Sequence, residues 1–231
     1  MKPIWRKIIL ISWLVLELIL YIFILFLPSP FPSGVLHFAS IILAALFVFF
    51  HKTKNKAILW LKIGFVFTLI ADYFLTLQRT NQLGGTVFFL LAQVSYALIL
   101  AYINPTKMKQ SIWIRAILLS ILFLVALFVV SGAFDALLIV ALLYYGMLVS
   151  NAIIATLQFR LNPHLAIGLI LYIGCDTLVG LSQSAAYITI AQTSIWYYLL
   201  HFPIDLVWFF YLPSQVFIAL SVMNFYSPKS I

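Results

Sequence analysis

Eight stretches of this chain, at about residues 8–27, 34–50, 57–78, 84–103, 112–131, 135–157, 164–183 and 204–224, are each near twenty residues long and almost wholly apolar. That length is what a helix needs to cross the hydrocarbon core of a bilayer, about 20 residues at about 1.5 Å each. In lipid the backbone can satisfy its own hydrogen bonds only as a helix or a closed barrel. Barrel strands would alternate in segments of about ten residues, and no such alternation is present. The chain therefore reads as an all-α polytopic membrane helix bundle with about eight transmembrane helices. Hydrophobic residues make up 65% of it, against roughly 45–50% in a soluble domain. The last run is the most broken up, by Pro203, Asp205 and Pro213.

The net charge of +8 raises a nucleic-acid reading, which the placement of the basic residues dismisses. Lys2, Arg6 and Lys7 precede the first run; Lys52, Lys54, Lys56 and Lys62 lie near the turn between the second and third. Lys107, Lys109 and Arg115 fall between the fourth and fifth, Arg160 between the sixth and seventh, and Lys229 in the tail. All are on one side of the proposed topology, and only Arg79 is on the other. By the positive-inside rule both termini are cytoplasmic, and the chain is expected in a bacterial cytoplasmic membrane. The first run is too long for a signal peptide, and no small-residue cleavage pattern follows it. Loops such as SPFPSG, INPTKMKQ and LNPH are short, so residues 1–231 are expected to form a single transmembrane domain. The segment SAAYITIAQTSIWYYLLHFPID carries Trp196, Tyr197, Tyr198 and His201, which suit an interfacial aromatic belt. The lone Cys175 rules out an internal disulfide.

Against this background the five acidic residues stand out, because an ionisable group at membrane depth is costly and faces a partner, a cavity or the bundle interior. Asp135 follows SGAF at the start of a helix, where the helix dipole favours a carboxylate. That leaves Glu17, Asp72, Asp176 and Asp205. Glu17, midway along the first run with no other strong polar group on its face, is expected to hydrogen-bond a neighbouring helix. Asp72 and Asp176 lie on helices that run in the same direction, roughly 22 Å and roughly 18 Å above their starts, so they share a level.

Their neighbours at helical spacing are polar as well. Thr68, Asp72, Thr76 and Arg79 form one stripe, and Tyr172, Asp176, Gly180 and Gln183 another. Gln93 with Tyr96, Tyr144 with Asn151, and Tyr211 with Gln215 add three more, so five helices turn a polar stripe inward. Such stripes line a substrate cavity or serve only as interhelical hydrogen-bonding glue. An aspartate costs far more to insert than a threonine, which favours a site around the two aspartates. His37, His51, His164 and His201 are scattered, with no pair at i, i+4, so no zinc site of the usual kind is expected. Phosphate-binding glycine loops and nucleophile elbows are absent. Cys175 points about 100° away from Asp176 around the helix and reads as a packed small residue.

The segment FVFTLIADYFLTLQRTNQLGGTVFFLLAQVSYALILAY resembles the third and fourth helices of the YhhN-type lysoplasmalogenase family, roughly F-S-x-x-G-D-x-x-L, then G-x-x-x-F, then H-x-x-Y. IGLILYIGCDTLVGL is similar to the family's G-A-x-x-F-x-x-S-D-x-x-x-A-x stretch, and YLPSQVFIALS to its final Y-x-x-A-Q-x-L-I. The pieces keep the family's order and eight-helix layout over about residues 57–222. The resemblance places the family's two helix-borne aspartates on Asp72 and Asp176, its tyrosines on Tyr96 and Tyr144, and its last-helix glutamine on Gln215. The chain departs from the pattern at Gln93, where the family usually has histidine, and around Ser40 and Ile41, where its lysine-proline is missing.

The activity implied by the resemblance is cleavage of the vinyl ether of a lysoplasmalogen to a fatty aldehyde and a glycerophospho-alcohol, with no cofactor and no metal. A vinyl ether is hydrolysed by protonation at carbon, and water captures the resulting oxocarbenium ion. A carboxylic acid beside a carboxylate suits that reaction, much as in glycoside hydrolysis. Asp72 and Asp176 are then the catalytic pair, with Gln93, Tyr96, Tyr144, Asn151 and Gln215 around the lysophospholipid. Arg79 either meets the phosphate or is a solvated loop arginine. Two other functions fit the same residues. Intramembrane aspartates also mark proton relays in carriers, though no repeat or pair of broken helices supports a carrier. Gln93 also fits a lipid-binding protein without catalysis.

Overall fold

The computed structural model describes residues 3–27, 33–51, 55–129, 134–184 and 191–225. Lys2, Lys52, Lys54 and Lys229, and most of the loop SPFPSG and of the start of SAAYITIAQ, lie outside them. Every regular element among the described residues is a helix, and none is a strand. In chain order the helices are α1 (Pro3–Phe26), α2 (Ser33–Phe49), α3 (Lys56–Asp72), α4 (Gln82–Ile103), α5 (Met108–Val129), α6 (Ala136–Leu157), α7 (Pro163–Ser184), α8 (Ile195–Leu200) and α9 (Leu206–Leu220). Seven of the helical stretches are long and apolar enough to cross a membrane, and α2 is a shorter apolar helix over Gly34–Phe49. The protein is a polytopic helical membrane bundle. The eight predicted runs correspond to α1–α7 and α9. The short α8 falls in the aromatic segment, with Trp196 and Tyr198 exposed.

The chief seams join α3 to α4, α7 to α9, and α4 to α6. At these seams glycine permits close approach. A Cβ on Gly64 would stand 2.8 Å from the Tyr96 ring, and one on Gly168 would stand 2.9 Å from the Ser214 carbonyl and the Ile218 amide nitrogen. α7 and α9 thus touch backbone to backbone, as small residues allow in membranes. By contrast α5 buries only Ser111 and Ala126, so its surface is mostly turned to lipid.

Two interruptions shape the site. Pro213 lies inside α9 and supplies no N–H to the carbonyl one turn earlier, that of Phe209. Tyr21 of α1 donates its hydroxyl to that carbonyl at 3.0 Å, so a side chain from another helix repairs the break. In hydrocarbon an unpaired carbonyl has no water to turn to. Tyr21→Phe is therefore expected to lower stability by about 1 kcal/mol, read as an earlier thermal unfolding in mild detergent. An unchanged midpoint would show that the bond contributes nothing.

The second interruption follows Asp72. There the chain passes into a π-helical stretch, Tyr73–Gln78, closed by the Arg79 amide donating to the Phe74 carbonyl at 2.9 Å, and Arg79 takes φ 55. Such widened turns recur at functional sites. The extra residue per turn corrects the predicted third-helix stripe. Thr68 and Asp72 keep one buried face, with Thr76 partly buried beyond them, but Arg79 is turned off it and exposed.

Two charged residues also sit differently from expectation. Asp205 is not an intramembrane acid. It caps α9, accepting from the amides of Val207 and Trp208 at 3.0 and 3.2 Å, where a carboxylate meets the helix dipole. Arg115 is not a loop residue but lies inside α5, half-buried. Asp135 caps α6 as expected, accepting from the Leu138 amide at 2.7 Å.

Candidate functional site

The two aspartates are each held by a phenol from a different helix. Asp72, at the end of α3 and 3% exposed, accepts a hydrogen bond on Oδ2 from the Tyr211 hydroxyl of α9 at 2.6 Å. Asp176, on α7 and half-buried, accepts on Oδ2 from the Tyr144 hydroxyl of α6. The two carboxyl groups are near enough to interact electrostatically. Their phenols belong to one aromatic cluster. Phe89 of α4 stacks on Tyr144 at 5.7 Å and stands edge-on to Tyr172 and Tyr211 at 6.1 and 6.4 Å, while Tyr172 and Tyr211 are 5.5 Å apart. A double requirement, apolar ring faces for packing and a hydroxyl for each acid, explains why tyrosine fills these positions.

Further hydroxyls stand near the pair, Thr68 facing Tyr96 and Tyr172 facing Tyr144. Gln93 Nε2 on α4 and both amide atoms of Gln215 on α9 are buried without a hydrogen-bond partner among the described residues. Tyr96 interacts electrostatically with Asp72, and Tyr172 with both aspartates. Buried polar groups are nearly always paired, so the unpartnered amide atoms of Gln215 and Gln93 mark where a polar ligand or water belongs.

Of the predicted site residues, Asp72, Asp176, Tyr96 and Tyr144 come together, all but Asp176 buried, and Gln215 is buried one turn after Tyr211 on α9. Gln93 and Asn151 form a second polar level. Asn151 Nδ2 donates to Gln93 Oε1 at 3.0 Å and to the Gln93 carbonyl at 2.8 Å, and its Oδ1 accepts from Arg115 Nη2 at 2.9 Å. Arg79 does not join the aspartates. After the π turn it is exposed, with Nε donating to the Thr76 carbonyl at 3.2 Å, and it lies within electrostatic range of His37 and not on the Asp72 face. His37 stacks on Trp208 at 4.0 Å, and Trp208 meets Tyr211 edge-on at 5.1 Å. Gly180 and Gln183 are exposed, so the α7 stripe runs inward only at Tyr172 and Asp176.

Glu17 also departs from expectation. It is buried at 3% exposure and makes no hydrogen bond to a neighbouring helix, its carboxyl group lying instead beside the Trp13 indole of α1. Trp13, one turn earlier, gives its indole N–H to the Leu43 carbonyl at 3.1 Å. No group of three or more His, Cys, Asp or Glu placed to hold a metal ion occurs among the described residues.

Tyr211 and Tyr172 belong to the inward polar stripes, each one turn before Gln215 or Asp176, and the structure gives them contacts with the aspartates. Two further members of the site have no such signal in the sequence. Phe89, one turn before Gln93, looks like any other apolar position. Arg115 was hidden by its place near a basic flank. Taken together, the geometry offers two carboxyl groups on separate helices, each oriented by a phenol and fenced by rings. That arrangement is suited to moving a proton to and from a mostly apolar molecule. Residues 33–222 match the family model described as the YhhN family. No curated protein and no solved structure matches the chain.

Proposed function

The chain belongs to the YhhN family, and from that premise we propose that it is a lysoplasmalogenase-like hydrolase working inside the membrane. The family includes lysoplasmalogenases. One observation carries the proposal to this chain: two interacting carboxyl groups, each held by a tyrosine hydroxyl, sit beside one buried aromatic cluster. A lysophospholipid with a vinyl ether suits such a place, because its reacting atoms are nearly apolar until a proton arrives.

The reaction needs one proton transfer to carbon and one water. Asp72, the enclosed acid, gives its proton to the vinyl carbon that does not bear oxygen. The remaining carbon and the ether oxygen share the positive charge, which the Asp176 carboxylate stabilises. Asp176 is the more accessible of the two, so it is the one that meets water. Water adds to the charged carbon and loses a proton to the carboxylate pair. The hemiacetal then collapses to the aldehyde and the glycerophospho-alcohol, which keeps the original ether oxygen. Tyr96, Tyr172 and Gln215 supply hydrogen bonds to the ether oxygen and the water. Gln93 shares its level with Asn151 and Arg115, on the side of the lysophospholipid. The fatty chain enters from the bilayer, and the whole chain acts as one transmembrane domain with both termini cytoplasmic, as its lysines argue.

The test is to give the purified protein a lysoplasmalogen and, in parallel, the lysophospholipid with a saturated ether at the same carbon. Aldehyde is expected from the first only. No aldehyde, with uptake of a solute into vesicles, would hand the site to a carrier. The rate should also fall on both sides of a pH optimum. The acid side loses the carboxylate and the alkaline side loses the acid, and both limbs belong to the pair. Gln93 cannot titrate, so a limb that vanishes when His37, His51, His164 or His201 is replaced would contradict a proton shared by the aspartates.

A further inference from the structure

About 21 Å along α6 from Tyr144, at about 1.5 Å per residue, a second polar site opens at the lysine-rich end of the bundle. Here the first turn of α5 and the C-terminal end of α6 enclose a pocket of about 140 Å³, roughly ten times the ~10–15 Å³ that one water needs. Lys107 stands at its exposed rim, and Gln110, Ser111 and Gln158 line it. Ser111 and Gln158 are 5% and 7% exposed, and Gln158 Oε1 has no hydrogen-bond partner among the described residues. No acidic residue lines the pocket. The partial positive charge at the start of the 22-residue α5 faces the partial negative charge at the end of α6, so the full positive charge of the site is that of Lys107. On the lipid side the wall is Ile114 and Leu157, the latter 64% exposed.

We infer that this pocket binds the phosphodiester headgroup of a membrane phospholipid, apart from the aspartate site. The ammonium of Lys107, the Ser111 hydroxyl and the Gln110 amide present donors to phosphate oxygens. The unpartnered Gln158 oxygen calls for a donor, which a headgroup hydroxyl or amine supplies and a choline headgroup does not. The exposed Leu157, with the partly buried Ile114 beside it, gives the acyl chains a surface along the α5–α6 seam. The ligand is thus a phosphate ester with a hydrogen-bond donor, and its phosphate chemistry is shared with free inorganic phosphate.

The experiment uses the full chain in nanodiscs of phosphatidylcholine with a minor share of phosphatidylglycerol. Lipids retained after gentle extraction are counted by native mass spectrometry. Wild type is expected to keep phosphatidylglycerol in preference to phosphatidylcholine. Lys107→Gln should lower that preference about tenfold, the loss of one charge-assisted contact. Lys109→Gln removes the same charge next door, outside the lining residues, and should not. Gln158→Leu should weaken the preference for phosphatidylglycerol without a change in charge. Equal losses in the two lysine variants, or neither a preference for phosphatidylglycerol nor a phosphate stabilisation that Lys107→Gln abolishes, would overturn the site. In a parallel arm, inorganic phosphate is added to detergent-purified protein and thermal unfolding is followed. Stabilisation that Lys107→Gln abolishes supports the site and assigns it to the free anion; retention of phosphatidylglycerol without it supports the site and assigns it to lipid.

Discussion

Asp72→Asn and Asp176→Asn are each expected to lower aldehyde release from a lysoplasmalogen by at least about 100-fold, the lower end of what a positioned acid or base contributes. The substitutions are chosen to spare the fold. An asparagine oxygen still accepts the hydrogen bond that Tyr211 gives to Asp72 or Tyr144 gives to Asp176. A neutral amide is also no costlier than an acid to place at membrane depth. Each variant should therefore extract and migrate as a single species in size-exclusion chromatography while losing its initial rate. Glu17→Gln is the contrast. Glu17 is buried on α1 and shares no hydrogen bond with either phenol, so its rate should stay at the wild-type level. A folded, inactive Glu17 variant would add a third acid to the site, and a fully active Asp72 or Asp176 variant would remove the pair.

The second large effect belongs to the phenols. Tyr211→Phe and Tyr144→Phe keep the ring contacts with Phe89 and delete only the hydroxyl that orients a carboxyl group. A reacting group displaced by about 1 Å loses roughly 100-fold in rate, so a drop of about 10- to 100-fold is expected, mainly in kcat. The lipid still binds in such a variant, so KM should move little. A carboxyl group and the phenol that aims it act as one unit, and units of this kind are not additive. Tyr211→Phe placed on top of Asp72→Asn should therefore cost almost nothing further. Additive losses in the double variant would mean that Tyr211 acts on the substrate independently of Asp72.

The spans were legible because run length alone answers a bilayer's thickness, and the two aspartates because their cost at that depth has few explanations. Tyr144 and Gln215 came with the ordered motifs. What escaped was set by geometry that composition does not carry. The π turn after Asp72 arises where α3 meets the start of α2, with a Gly34 Cβ position only 2.5 Å from the Thr76 carbonyl. Nothing in YFLTLQ announces it, yet it swings Arg79 from the acid face to the rim. Asp205 looked intramembrane because Pro203 and Pro213 flank it in an apolar stretch, whereas α9 begins only after it. Arg115 looked like part of a basic flank, and only the fold brings Asn151 across to its guanidinium. The repair of the Pro213 break by Tyr21 joins positions 188 residues apart, a pairing no local pattern encodes.

The central claim is that an aspartate of this pair puts a proton on a vinyl carbon. The most direct measurement is to run the reaction in D2O, trap the aldehyde as it forms, and weigh it by mass spectrometry. Wild-type protein is predicted to give aldehyde carrying one deuterium on the carbon next to the carbonyl, and Asp72→Asn to give almost none of this product. Aldehyde without carbon-bound deuterium, or deuterated aldehyde formed by Asp72→Asn at the wild-type rate, would contradict it.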